Sequence, residues 1–229
     1  MVKKKGIMKK IILGTIGTIF LFVIIVIINL VVFEKNGSVV SKGQIIKNYN
    51  ERNYALLVID IQEATTGVVS KYPFFEMNSD VLIKNINRII ESFINQNALV
   101  IYVRSEISNP LINLVNNSYA KGSLGARLDK RLKIVTDIEI VKIGEDSFRN
   151  TNLDSILTRN KISELYIVGL DAAECVNSTV EAAQNRNYRV NLIDEAILSK
   201  SIDMKDSMIV NFKARGVKII ALDSLNLME

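Results

Sequence analysis

Apolar residues fall along this chain in two different patterns. Near the N-terminus they form one long unbroken run; from about residue 55 they come in short bursts separated by helical spacing. Residues 11–33 carry no charged side chain, and Thr15, Thr18 and Asn29 are the weakly polar interruptions. As a helix this run spans ~34 Å, enough to cross a bilayer core of about 30 Å. Lys3, Lys4, Lys5, Lys9 and Lys10 precede it, and Glu34 and Lys35 follow. Lysine bias predicts a transmembrane helix with the N-terminus cytoplasmic and the remainder outside. A cleaved signal peptide is the rival, but its apolar core is usually ~7–15 residues long and ends at small residues. Here Val31, Val32 and Phe33 close the run.

Residues 34–53 are polar with two glycines and read as a juxtamembrane linker. Then come six short apolar, β-branched runs: 55–60, 98–103, 138–142, 165–169, 188–193 and 217–222. Between them lie helical patterns at Ser79–Asn95, Asn152–Arg159, Glu174–Asn187 and Met204–Arg215. In the first, Val81, Leu82, Ile86, Ile89, Ile90 and Phe93 share one face. Fully apolar strands alternating with helices predict a parallel sheet buried on both faces, hence an α/β three-layer sandwich over residues 54–229. Residues 104–133 have no firm period and exceed an ordinary connection, so they are expected to border a site. Thr65–Phe75, with Tyr72, Pro73, Phe74 and Phe75, forms either an aromatic rim or a packed segment.

Composition narrows the chemistry. The chain has no His and one Cys. That excludes histidine-based triads and dyads, His-ligated metals, intrachain disulfides and thiolate clusters. Net charge is +5, but five lysines lie in residues 1–10 and the rest of the chain is balanced. Nothing points to a nucleic-acid surface.

In open parallel sheets, ligands bind beyond the carboxyl ends of the strands. Asp60 and Gln62 follow the first run, Arg104 the second, Lys142 ends the third, and Gly169 through Cys175 follow the fourth. Alone, Cys175 reads as a small buried hydrophobe, Asp60 as a cap and Lys142 as a solvated strand end. Together they form an acid, a base and a thiol at one edge. A helix N-terminus at Cys175 favours thiolate, and its amides suit an oxyanion. Without His the base must be a carboxylate. From ordinary pKa values the transfer from Cys to Asp is uphill by roughly 6 kcal/mol. The site must therefore raise Asp60 and lower Cys175, with Lys142 and the helix terminus contributing to the latter.

These residues carry a resemblance. From about Tyr54 to Leu222 the chain resembles the isochorismatase-like cysteine hydrolases, a family that includes nicotinamidases and N-carbamoylsarcosine amidohydrolase-type enzymes. The matching blocks are LLVIDIQ (56–62), VKIGEDSFRNTNLDSIL (141–157) and LYIVGLDAAECVNSTVEAAQNRNYRVNLIDEAI (165–197). The resemblance implies a six-stranded parallel sheet of order 3-2-1-4-5-6. It also implies Asp60, Lys142 and Cys175 as the catalytic triad, with the backbone N–H groups of Asp171 and Cys175 as the oxyanion hole. A cis peptide is implied between Leu170 and Asp171. Implied too are a thioester-like covalent intermediate, a small-molecule substrate, no cofactor, and a homo-oligomer as in many relatives. Gln62, Arg104 and Phe148 are candidate substrate contacts, with ordinary loop and packing roles as the alternative.

Two departures matter. Where the family often has Ala-Thr-Asp, this chain has Asp171-Ala172-Ala173, and an inward acid there opposes thiolate formation. The His-containing metal site of nicotinamidases has no counterpart, which argues against nicotinamide as substrate. The expected activity is C–N bond hydrolysis of a small amide, ureide or carbamoyl compound. The alternatives are a catalytically silent binding domain and a vinyl-ether hydrolase of isochorismate type.

Overall fold

The computed structural model describes residues 2–49 and 53–227. Residues 1, 50–52 and 228–229, at the edges of the expected segments, lie outside the described residues. The chain opens with helix α1 (Val2–Gly37). Of it, Lys10–Gly37 is long and apolar enough to cross a membrane, with a mean hydropathy of 3.1. Its apolar side chains, from Ile11 to Val32, are largely exposed. The helix runs through Gly37 into the expected linker. The chain beyond it follows the domain surface: Ser41 N–H donates to Asp146 Oδ2 at 2.8 Å, and Ile46 N–H donates to the Arg186 carbonyl at 2.9 Å. Val40 and Ile46 pack on the core.

Strands β1 (Asn53–Ile59), β2 (Leu99–Ser105), β3 (Glu139–Lys142), β4 (Ile162–Gly169), β5 (Arg189–Ile197) and β6 (Lys218–Ile220) form one parallel sheet. Its order is β3-β2-β1-β4-β5-β6, as expected. Along β1, Ala55, Leu57 and Ile59 face one core while Leu56 and Val58 face the other, and all five are 0% exposed. Burial on both faces is why the strand reads as an unbroken apolar run.

One layer is helix α2 (Pro73–Asn95), which lays Leu82, Ile83, Ile86, Ile89, Ile90 and Phe93 on the sheet. It starts six residues before the expected Ser79, because Pro73 suits the first helical turn and Phe75 is already buried. The other layer is α4 (Leu153–Arg159), α5 (Cys175–Asn185) and α6 (Ile202–Ala214). A 3-10 turn (Leu222–Leu227) follows β6. Within 104–133 lies α3 (Pro110–Val115), too short to leave a period; the Asn109 side chain caps it by accepting from Leu111 N and Ile112 N.

Two backbone features shape the active edge. Gly169 has φ +119, and a Cβ there would lie 2.0 Å from the Ile59 carbonyl oxygen, so only glycine lets β4 pass β1 at this level. Asp60 has φ 54, a left-handed conformation that Asp tolerates better than most residues, and it turns the chain off β1.

Candidate active site

Asp60 leaves the end of β1, Lys142 is the last residue of β3, Ser105 ends β2 and Cys175 opens α5. The parallel sheet puts all four at one edge. Lys142 Nζ is the hub. Its three N–H groups are shared among Asp60 Oδ2 at 2.8 Å, Ser105 Oγ at 2.9 Å, the Gly144 carbonyl at 3.1 Å and Cys175 Sγ at 3.1 Å. Ser105 Oγ also donates to Asp60 Oδ1 at 3.2 Å. Ser105 has no signature in the sequence, because a serine at a strand end carries no signal of its own.

The electrostatics differ from the expectation at the thiol. Burial pushes the Cys175 thiol well up, the nearby Asp60 charge adds to that, and Lys142 opposes both without cancelling them. The resting sulfur is therefore a neutral thiol rather than a thiolate. Desolvation alone would lower Lys142, but the adjacent Asp60 carboxylate outweighs it, so the ammonium is held charged. The resting site pairs an ammonium with a carboxylate and leaves the thiol its proton.

The peptide Leu170–Asp171 is cis, as the resemblance implied. Cys175 N–H belongs to the first turn of α5, where amides lack intrahelical acceptors. The Asp171 carboxyl is buried, and desolvation raises its pKa. Its Oδ1 accepts from Ser199 Oγ and from Ala173 N–H at 2.9 Å, while Oδ2 is buried with no partner among the described residues. The raised pKa favours the neutral carboxyl more than in an exposed Asp, which lessens the repulsion on a developing thiolate.

A cavity of about 350 Å³ opens over the thiol. Tyr72, Phe75, Ile107, Tyr119 and Leu170 give it apolar walls, and Glu145, Glu174 and Lys200 add charge. Tyr72 and Phe75 thus form an aromatic wall, and segment 104–133 supplies Ile107 and Tyr119. The C-terminal end of α1 also lines the cavity, through Phe33, Glu34 and Gly37. A chain-terminal apolar helix contributing to a site has no sequence signature.

The three candidate substrate contacts are not brought to this cavity lining. Gln62 is 0% exposed; its Nε2 donates to the Ser105 and Ala126 carbonyls, both at 2.9 Å, and its Oε1 accepts from Ser105 N–H at 2.8 Å. Its amide ties the end of β2 to the loop at Ala126. Arg104 is bound by Glu139 at 2.6 Å and Glu106 at 2.9 Å. Phe148 is in the core beneath the Arg186 guanidinium, 4.3 Å from its ring centroid. Among the described residues no three carboxylate or thiol side chains come together in a way that would hold a metal ion.

Comparison with known proteins agrees with this architecture. Residues 54–224 match the isochorismatase domain. The uncharacterized isochorismatase family protein YrdC of Bacillus subtilis is 26% identical over 178 residues, 77% of this chain and 89% of its own. A probable inactive nicotinamidase of Arabidopsis thaliana is 30% identical over 183 residues, 73% of this chain and 91% of its own. The crystal structure of N-carbamoylsarcosine amidase from Thermoplasma acidophilum superposes with a TM-score of 0.64 at 26% identity, covering 75% of this chain and 97% of that one. Sheet order, strand-end site and a domain match over most of the chain agree: this protein belongs to the isochorismatase family of hydrolases.

Proposed function

We propose that this chain is a membrane-anchored cysteine hydrolase that cleaves the C–N bond of an amide, ureide or carbamoyl compound. The observation that carries the reading is the single ammonium, Lys142 Nζ, held 2.8 Å from the Asp60 carboxylate and 3.1 Å from Cys175 Sγ beneath a cavity. Asp60 takes the thiol proton as sulfur attacks the carbonyl carbon. Lys142 keeps its charge and offsets the negative charge that moves between sulfur and carboxylate. The N–H groups of Asp171 and Cys175 receive the oxyanion. Collapse of the tetrahedral adduct breaks the C–N bond, and Asp60 returns the proton to the leaving nitrogen. Water, deprotonated by Asp60, then attacks the thioester, releases the acid or carbamate and restores the thiol.

The anchor reading rests on Lys10–Gly37 and on the lysines before it, with the hydrolase domain outside the cytoplasm. Incubation of the full chain with a panel of small amides and carbamoyl compounds tests the activity by ammonia release, and rapid quench with intact mass tests for an acyl adduct on Cys175. Turnover that survives Cys175→Ala overturns the mechanism. A second reading, a silent binding domain, is favoured by the raised thiol pKa; an acyl adduct at Cys175 overturns that one.

A further inference from the structure

The end of α1 does more than tether the domain. Glu145 N–H donates to the Gly37 carbonyl at 2.9 Å, and a Cβ on Gly144 would lie 2.6 Å from that same oxygen. Gly144 is also the residue whose carbonyl accepts from Lys142. Phe33, the last residue of the apolar run, and Glu34 line the active cavity itself. The cavity mouth is therefore level with the end of the apolar run, which on the anchored reading is where the helix leaves the bilayer.

A second element lies against the same helix. Asn109 Nδ2 donates to Asn29 Oδ1 at 3.0 Å, tying the start of α3 to α1. Asn29 lies one helical turn, ~6 Å, before Phe33, on the membrane side of it. At its other end α3 leaves Leu114 and Val115 65% and 59% exposed. Ile143, which also lines the cavity, is 61% exposed. Large aliphatic side chains beside the exit of a spanning helix are stabilised by the headgroup–acyl boundary rather than by water.

We propose that α3 is seated in the interface of the bilayer that holds α1, and that the substrate is an amphiphile: an amide or carbamoyl head on a hydrocarbon chain, reached from the membrane surface. This rests on the anchored-hydrolase reading and adds the substrate class. The apolar walls of the cavity take the first part of the chain, and Phe33 and Ile143 border its path to lipid.

Two measurements on the full chain in phospholipid vesicles test it. The protein has no Trp, so Leu114→Trp introduces a single indole. Lipids brominated on the upper part of the acyl chain, next to the headgroups, are expected to quench most of its emission. Val210→Trp, on α6 beside the opposite sheet edge, is expected to keep its emission. An unquenched Leu114→Trp in a chain that floats with the vesicles overturns the seating of α3. A chain that does not float overturns the anchor and this inference together. Next, N-alkyl iodoacetamides from N-ethyl to N-dodecyl are reacted with Cys175 in the same vesicles. A mouth open to lipid makes the rate rise at least about tenfold along the series, since longer chains concentrate at the membrane. A mouth open to water makes the rate flat or falling, because lipid then withdraws the long reagents; that result, or no labelling by any member, overturns the amphiphile. Hydrolysis of short soluble amides alongside a flat series leaves the hydrolase standing and removes only this inference.

Discussion

Lys142 Nζ lies 2.8 Å from Asp60 Oδ2, and the two side chains are 0% and 7% exposed. An ion pair this withdrawn from water depends on both members being present. Lys142→Met leaves the Asp60 charge buried and unpaired, at an expected cost of about 3–5 kcal/mol. The double variant Asp60→Asn, Lys142→Met removes both charges and is expected to regain most of that loss. Urea unfolding of the wild type, both single variants and the double variant measures the coupling. Additive losses contradict it.

Cys175 is expected to alkylate slowly at neutral pH, with a rate that keeps rising beyond the ordinary thiol range. Burial and the Asp60 charge hold the proton on sulfur. Asp60→Asn removes the opposing charge and leaves Lys142 attracting the thiolate, so its profile shifts to lower pH. Iodoacetamide labelling followed by intact mass reads both profiles. A wild-type profile below the ordinary thiol range contradicts the neutral resting thiol.

Asp171 makes stability fall as pH rises. Desolvation raises its folded-state pKa above the unfolded value, so the folded chain holds this proton more tightly. The contribution is complete below the unfolded pKa and is lost as pH rises through the folded one. Asp171→Asn keeps the shape without the charge. It is expected to raise Tm by about 2–4 °C at about pH 8 and by little at about pH 4, checked by thermal melts at both. A gain confined to the acid side contradicts the assignment.

Arg186 holds the segment after α1 against the domain. Its guanidinium meets Asp154 at 2.7 and 3.0 Å, donates to the Ser41 carbonyl at 3.2 Å and to Ser41 Oγ at 3.0 Å, and stacks over Phe148. Arg186→Met is expected to cost about 1–2 kcal/mol and to expose residues 38–49 to protease while the sheet stays protected. Limited proteolysis with mass mapping checks this; unchanged cleavage of that segment contradicts it.

Gly169→Ala places a methyl against the Ile59 carbonyl in a backbone conformation unfavourable to alanine. Both clashing groups belong to central strands, which cannot separate cheaply. The expected loss is about 2–4 kcal/mol in urea unfolding.

Strands β1, β2 and β4 were legible because their central residues are buried on both faces, and such positions must be apolar. Asp60, Lys142 and Cys175 were legible because parallel strands end at one edge, so residues far apart in sequence share a place once strands are assigned. The apolar length of residues 11–33 likewise declares itself, since hydropathy needs no partner. Tertiary structure decided the rest. Gln62, Arg104 and Phe148 stand beside the strand ends in sequence, yet their side chains are committed to carbonyls, carboxylates and the core. That choice depends largely on distant neighbours, such as Glu139 for Arg104 and Ala126 for Gln62. The protonation of Cys175 reversed for the same reason: helix polarity is a local property, whereas burial and the Asp60 charge come from packing. The use of Phe33 and Glu34 as cavity wall is also invisible locally, because it follows from where Gly37 and Gly144 meet. Periodicity and strand polarity are properties of the chain itself; contacts and desolvation exist only once distant segments are packed together.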